Sequence, residues 1–187
     1  ESLVLTLQNG IPEDIAAEIL GDHRVIGGGM EFSGTFVEAG VVELVSPINT
    51  LGFTIGEANG KLSGEISQRL IEIQTILKTI GSCELTTQLR EARFTKLTDN
   101  CVASALPTAL GCILGKVLSD DKASACMAEL GRECSMVLEA LNIKPLKLFG
   151  FQPNPDNIFF NNKKDKINVI EYWRETYAPY HQQTASM

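Results

Sequence analysis

Apolar residues in the first 58 positions fall in short runs separated by Gly, Pro and Asn, a spacing typical of strands joined by turns. The predicted strands cover residues 3–7, 24–34, 35–45 and 51–56. One helix is predicted among them, over residues 12–20. Pro12 stands where prolines favour a helix start, and Glu13 and Asp14 place negative charge in the first turn.

From Ser63 onward the apolar residues follow a helical period. A first stripe, closed by Gly81, repeats at spacings of three and four: Ile66, Leu70, Ile73, Leu77 and Ile80. Further helices are predicted over residues 88–117, 121–141 and 167–180, with Pro107 expected to kink or divide the first of these. Residues 144–168 are predicted to form a loop or short helices. The chain therefore divides into a strand-rich domain over residues 1–58 and a helical domain over residues 63–187.

Composition excludes several classes of protein. The 187 residues are 44% hydrophobic, which is enough for a core in one domain or two small ones. The net charge of −7 argues against nucleic acid as a partner, because such binding depends on clustered cations. No apolar run approaches the roughly 20 residues that span a membrane, and no signal peptide is evident. Because the sequence enters an apolar strand directly after Glu1, we expect it to be a piece of a longer chain.

The five cysteines are odd in number and contain no C-x-x-C pair. This usage is typical of an intracellular protein with free thiols. Cys126 and Cys134 follow an apolar helical pattern, so we expect both to be buried on a helix face. A catalytic thiol is the less common alternative.

The first candidate site is Gln8-Asn9-Gly10, directly after the first predicted strand. Ligands of open α/β sheets gather at the carboxyl ends of strands, where an Asn offers both a donor and an acceptor. The alternative, which the dipeptide alone favours, is that Asn9-Gly10 simply forms a turn.

The second candidate is the set Lys96, Asn100 and Ser104, whose spacing of four places them on one face of a helix. Lys96 could donate a proton to a carbonyl oxygen or stabilise an alkoxide, while the other two hold a carboxylate or hydroxyl. The alternative is an ordinary solvated helix face, which is the common cause of such a pattern.

Other candidate motifs carry less weight. Residues 27–29 are three glycines without the G-x-G-x-x-G spacing of a dinucleotide fingerprint, so we expect them to allow a close approach of another backbone. His23 and His181 are too few to indicate a metal site or a catalytic triad.

These pieces, in this order, resemble the ketopantoate reductase family, the NADPH-dependent 2-dehydropantoate 2-reductases, over most of the chain. The resemblance rests on Leu5-Thr6-Leu7-Gln8-Asn9-Gly10, the glycine-rich strand 25–29, residues 40–42 and 55–57, Lys96-Leu97-x-x-Asn100 and the final Ser186-Met187. The first of these segments and the Lys96 motif are specific together and weak singly.

The resemblance implies roles for particular residues. Lys96 would be the general acid for the ketone that hydride reduces, and Asn100 would bind the substrate. Asn9 would contact the nicotinamide end of the cofactor and the substrate. Ser186 would also touch the substrate, and Ser33 would give a backbone contact to NADP.

The resemblance also implies an overall organisation. The fold would be an α/β part, the last strands of a Rossmann-type NADP-binding domain, followed by an all-α domain of the 6-phosphogluconate-dehydrogenase-like type. The protein would be a cytoplasmic homodimer, paired through its helical domain, that uses NADPH to reduce ketopantoate or a related small 2-oxo acid to the 2-hydroxy acid, as in pantothenate and coenzyme A biosynthesis. No nucleic acid and no membrane are expected as partners.

Three departures from the family pattern bear on these expectations. Ser104 stands where the family has a second Asn, and Leu114 stands where a further Asn precedes a Gly. Both are substrate positions, so a 2-oxo acid other than ketopantoate fits as well. The G-x-G-x-x-G segment would precede Glu1 and an acidic substrate residue would follow Met187. The 187 residues alone are therefore expected to be inactive and to bind no NADP.

A second hypothesis belongs to a different class. The amphipathic helices and the aromatic-rich end would also suit a non-catalytic helical association module, in which Lys96, Asn100 and Ser104 are merely exposed.

Overall fold

The computed structural model of the chain describes residues 2–44, 46–58, 64–148 and 158–182. The chain forms two compact units, Glu1–Arg93 and Phe94–Met187. The predicted domain boundary lies earlier, between residues 58 and 63, whereas the division in the structure falls within the helix Leu89–Asp99. The difference arises because a strand that was not predicted, Ser82–Leu85, returns to the sheet of the first unit.

The first unit is built on a four-stranded sheet. Its strands, in spatial order, are β1 (Val4–Thr6), β2 (Val25–Met30), β5 (Gly52–Glu57) and β6 (Ser82–Leu85). β1 runs parallel to β2, β2 antiparallel to β5, and β5 parallel to β6. The helix predicted over residues 12–20 is confirmed as α1 (Glu13–Leu20). It connects β1 to β2, since two parallel neighbouring strands need a crossover connection.

The core of the first unit lies between the sheet and helix α2 (Gln68–Leu77). Ile26 and Ile55 at its centre are fully buried. α2 begins after Ser67, whose hydroxyl accepts a hydrogen bond from the backbone N–H of Leu70, a standard N-cap. The predicted apolar stripe is therefore right for Leu70 and Leu77. It is wrong at Ile66 and Ile80, which lie outside the helix and are exposed.

The predicted strand over residues 35–45 is divided in the structure, whose described residues here form a hairpin of β3 (Gly34–Glu38) and β4 (Val41–Leu44). The chain reverses at Gly40, whose φ of 84° is a left-handed conformation that glycine adopts without strain. Phe36 and Val42 face each other across the hairpin and are 70% and 69% exposed. The apolar residues of this hairpin thus lie on the surface.

The second unit is helical, which together with the sheet confirms the predicted fold class of a small sheet followed by an all-α region. After the end of α3 (Leu89–Asp99) come α4 (Leu106–Leu110), α5 (Leu114–Ser119), α6 (Asp121–Ala140) and α7 (Lys163–Tyr177). The core is centred on Trp173 of α7, with Val102, Leu114 and Met127 around it. In the part of the chain that the structure describes, no helix is long and apolar enough to cross a membrane.

Between α3 and α4 the chain stays helical, but the number of residues per turn changes before Pro107. Residues Asn100–Ala105 form a π-helix, in which hydrogen bonds link residues five apart. Pro107 lacks a backbone N–H and cannot make the ordinary helical bond to the carbonyl four residues earlier, so the irregularity falls where the sequence predicts a kink. The segment then ends at Gly111, with φ 62°, so the predicted helix over residues 88–117 is divided.

The cysteine thiols of α6 differ in environment. Cys126 is exposed, so the prediction that it is buried is wrong, while Cys134 is half-buried. Burial, followed by the neighbouring Cys101 thiol, raises the pKa of Cys134 to about 12. The polar and small residues Ser124, Gly131 and Ser135 occupy the buried face of α6 instead.

This difference predicts an order of alkylation. At neutral pH, iodoacetamide should modify Cys126 first, whereas Cys134 should react about a thousandfold more slowly than an ordinary thiol, because the thiolate is the nucleophile. Mass spectrometry of timed samples measures both rates. Labelling in urea should make the two rates similar, and a native Cys134 that reacts as fast as Cys126 would contradict the structure.

Candidate functional site

Asn9 lies in a bend that follows β1. The bend covers residues 8–10 and ends at Gly10, whose φ of 89° requires a residue that tolerates the left-handed region. Turn chemistry is thus part of the reason for Asn9-Gly10. The Asn9 side chain is exposed and makes no hydrogen bond to any other residue described, so its amide remains available to a ligand.

Ser33 lies between β2 and the β3–β4 hairpin, and its backbone is already engaged. Its N–H donates to the Ser46 hydroxyl at 2.8 Å, and its carbonyl accepts from the Ser46 N–H at 3.3 Å. A cofactor would have to use the remaining lone pair of the carbonyl or the Ser33 hydroxyl.

A buried polar network in the first unit was not foreseen from the sequence. Arg93 donates to the carbonyls of Gly28 and Gln8 at 2.6 and 2.7 Å, and it forms an ion pair with Glu13 at 3.0 Å. The same Glu13 oxygen accepts from the Thr6 hydroxyl at 2.8 Å. The network therefore ties the segment after β1 to β2 and to the start of α1.

Lys96 and Asn100 lie one turn apart, at the point where α3 gives way to the π-helix. Both are half-buried, and Lys96 makes neither a hydrogen bond nor an ion pair with another described residue. The amide nitrogen of Asn100 is buried and has no hydrogen-bond partner within the described ranges. A buried donor without a partner costs free energy, so the Asn100 amide nitrogen could bind an acceptor oxygen of a ligand beside Lys96.

Asp99, between these two residues in sequence, is held by Tyr177. The Tyr177 hydroxyl donates to Asp99 Oδ1 at 2.6 Å. Burial raises the pKa of the Asp99 carboxyl above its ordinary value, and this effect outweighs the Tyr177 hydrogen bond and the charge of Lys96, which lower it. Burial and the Asp99 charge raise the pKa of Tyr177 well above its ordinary value, so the phenol remains a donor.

The raised pKa predicts a pH-dependent effect of Asp99→Asn. Because the folded pKa lies above the unfolded one, proton binding by Asp99 stabilises the fold fully below the unfolded pKa, and that contribution is lost as pH rises through the folded pKa. The stability of Asp99→Asn relative to wild type should therefore increase from about pH 4 to pH 8. Urea unfolding across this range measures the difference. A difference that does not change with pH, or falls, would contradict the assignment.

The remaining predicted substrate residues have different outcomes. Ser104 lies inside the π-helix, whose wider turn rotates it from the position that α-helical spacing predicts, and it is half-buried. Leu114, one of the departures from the family pattern, is 1% exposed and belongs to the core. Ser186 lies outside the described residues. Across the described ranges, no group of three or more His, Cys, Asp or Glu side chains is placed to hold a metal ion.

The region that contains Lys96 and Asn100 is similar to a known protein family. Residues 88–187, which include Lys96 and Asn100, match the family model described as the C-terminal part of ketopantoate reductase PanE/ApbA. The chain belongs to the ketopantoate reductase family. None of the curated proteins matches the sequence.

Solved structures share the fold of this ketopantoate reductase family member. The 2-dehydropantoate 2-reductase of Geobacter metallireducens GS-15 matches with TM-score 0.69 and 22% identity, over 98% of this chain and 54% of its own. A PanE/ApbA family ketopantoate reductase from Ralstonia eutropha JMP134 matches with TM-score 0.70 and 19% identity, over 98% and 51%. D-mandelate dehydrogenase in complex with NADH matches with TM-score 0.70 and 17% identity, over 97% and 54%. The chain thus spans about half the length of these relatives.

Proposed function

We propose that the full-length protein containing this chain is an NADPH-dependent reductase that converts ketopantoate or a related 2-oxo acid to the 2-hydroxy acid. The observation that carries the proposal is the pair Lys96 and Asn100. The buried Asn100 amide nitrogen has no hydrogen-bond partner, and the Lys96 ammonium makes no hydrogen bond or ion pair, among the described residues. The pair falls within the family-matched region. An ammonium and an amide donor one turn apart suit the ketone and carboxylate oxygens of a 2-oxo acid.

Lys96 and Asn100 have different roles in the proposed reaction. The Lys96 ammonium donates a proton to the ketone oxygen, and its charge stabilises the alkoxide that develops as the carbon is reduced. The Asn100 amide nitrogen donates to the substrate and fixes its orientation. The substrate thus provides the acceptor that the buried Asn100 nitrogen lacks.

The first unit contributes to cofactor binding. When bound, NADPH supplies the hydride for the ketone carbon. The exposed Asn9 amide suits the nicotinamide end of the cofactor, since it offers both a donor and an acceptor. Ser33 is proposed as a further contact with NADP, and Ser104 and Ser186 as further substrate contacts.

The substrate assay needs more than one 2-oxo acid, because Ser104 and Leu114 replace residues of the family pattern. Purified full-length protein should consume NADPH, followed by its absorbance, with ketopantoate or with another acid of the panel. Phenylglyoxylate belongs in that panel, because one similar structure is a D-mandelate dehydrogenase. Parallel assays with NADH test the cofactor preference. No consumption of either cofactor with any acid of the panel would overturn the proposal.

We further propose that the protein is a cytoplasmic homodimer paired through its helical unit. Met136, Val137 and Leu141, at the carboxyl end of α6, are 47%, 54% and 46% exposed, which leaves apolar surface for a partner. All five cysteines are free thiols, as the reducing cytoplasm maintains. Light scattering of the full-length protein should give the mass of a dimer, whereas a dimer that neither binds nor reduces any 2-oxo acid would favour the non-catalytic association module.

A further inference from the structure

The buried ion pair of Arg93 and Glu13 is unused by the proposed chemistry. The two residues are 4% and 3% exposed, so both charges have lost their hydration. Glu13 Oε2 and Arg93 Nε find no hydrogen-bond partner in the described part of the chain, so the pair is incompletely compensated. Apolar residues often replace buried ion pairs without loss of stability. The role of Arg93 therefore lies in the groups that it holds in place.

Arg93 holds two backbone carbonyls, one just beyond the end of β1 and one within β2. The pairing of β1 with β2 stops at Thr6 and Gly27. Just beyond this point, the Arg93 guanidinium bridges the carbonyls of Gln8 and Gly28. Two hydrogen bonds to a planar, rigid group thus replace the missing strand pairing. A lysine ammonium, which lacks the planar fork, is a poor substitute for this geometry.

The glycine run makes room for the network. A Cβ on Gly27 would lie 2.6 Å from Glu13 Cγ and 2.6 Å from Leu89 Cδ2, closer than atoms can approach. Any side chain at Gly27 would therefore displace the carboxylate that faces Arg93. Gly28 provides one of the two carbonyls. A Cβ on Gly28 would lie 2.9 Å from the Thr54 carbonyl oxygen. Close packing thus explains the absence of side chains at residues 27 and 28 without a dinucleotide fingerprint.

We propose that Arg93 is a positioning residue that, by fixing the Gln8 peptide, holds Asn9 in the orientation needed to meet the nicotinamide end of the cofactor. This inference rests on the proposed function. The Asn9 side chain makes no hydrogen bond to a described residue, so its orientation depends on its backbone. That backbone is bounded by the Gln8 carbonyl on Arg93 and by the left-handed Gly10.

A matched pair of variants tests the role. Arg93→Lys removes the guanidinium fork from the Gln8 and Gly28 carbonyls. Arg69→Lys is the control, because Arg69 makes the same kind of ion pair, with the fully buried Glu57 of the first unit, and also donates to the carbonyl of His23. None of the Arg69 hydrogen bonds involves residues 8–10.

Two measurements on the full-length protein decide the question. In Arg93→Lys, hydrogen exchange of the Asn9 and Gly10 amides should accelerate at least about tenfold, and the Kd for NADPH, from its fluorescence, should rise about ten- to a hundredfold. Arg69→Lys should leave both values within about twofold of wild type. If Arg93→Lys does not fold, Arg93→Gln with Glu13→Gln takes its place, since this double variant leaves no unpaired buried charge, and Glu13→Gln alone is its reference.

Each outcome has a defined meaning. Unchanged exchange or unchanged Kd in the Arg93 variant overturns the positioning role, as do equal changes in the Arg69 control. If the wild-type protein binds NADPH and the Arg93 variant binds it equally well, the positioning role is wrong and the proposed function stands. A wild-type protein that binds no NADPH refutes the proposed function and the positioning role together.

Discussion

Replacement of Lys96 by alanine should lower the kcat of NADPH-dependent 2-oxo acid reduction by about 10²- to 10⁴-fold, the usual contribution of a general acid. Lys96 makes no competing ion pair within the described residues, so its ammonium is available to the substrate. Because proton donation acts in the transition state, kcat should fall more than substrate affinity. Steady-state kinetics of full-length wild type and variant measure both quantities.

Lys116→Ala is the matched control for Lys96→Ala. Lys116 is an exposed lysine of the same helical unit, in α5, and its loss should leave kcat within about twofold of wild type. Asn100→Ala should mainly raise the KM for the 2-oxo acid, because the Asn100 amide binds the ground state as well. A Lys96→Ala enzyme that retains wild-type kcat would refute the general-acid assignment and would show that another group protonates the ketone oxygen.

The elements that local sequence patterns predicted correctly are those with strong signals of their own. α1 begins next to a proline and two acids, and the predicted helix over residues 121–141 is confirmed as Asp121–Ala140. β6 was missed because only Cys83 and Leu85 alternate inward in its four residues, and its place is set by pairing with β5. Such pairing depends on tertiary context, which a short window does not contain.

Within α6 the apolar pattern misplaced the buried face. Ser124 is buried because its hydroxyl donates to the carbonyls of Val117 and Leu118, which removes the cost of burying it. Cys126 is apolar enough to suggest the core, yet it faces solvent. A hydropathy pattern cannot identify a polar residue whose partners lie on another helix.

The candidate site shows the same limit. Lys96 and Asn100 lie on adjacent turns of one helical segment, so their proximity could be predicted from their spacing in the sequence. Arg93 and Gln8 are 85 residues apart, and no local pattern links them. The π-helix also altered the expected alignment of Ser104, because helical spacing in sequence assumes an uninterrupted α-helix.

Replacement of Trp173 by alanine should destabilise the helical unit by about 3–5 kcal/mol, among the largest effects of a single substitution. Trp173 is 1% exposed and stacks on Tyr177, with ring centroids 5.7 Å apart and planes 12° apart. Alanine would leave a cavity beneath α6 and remove the support of the tyrosine that binds Asp99. Urea unfolding followed by far-UV circular dichroism measures the change, since Trp173 is the single tryptophan and its fluorescence is lost with it.

Two further variants distinguish the loss of Trp173 packing from a general destabilisation of helix α7. Ile167→Ala, on the same helix but 56% exposed, should change the free energy of unfolding by no more than about 0.5 kcal/mol. Gly131→Ala should cost roughly 1–3 kcal/mol, because the added Cβ would lie 2.9 Å from Trp173 Cζ2. In the Trp173→Phe background the added methyl meets a smaller ring, so the cost of Gly131→Ala should shrink there. Equal costs of Gly131→Ala in both backgrounds would show that Trp173 does not pack on α6 as the structure describes.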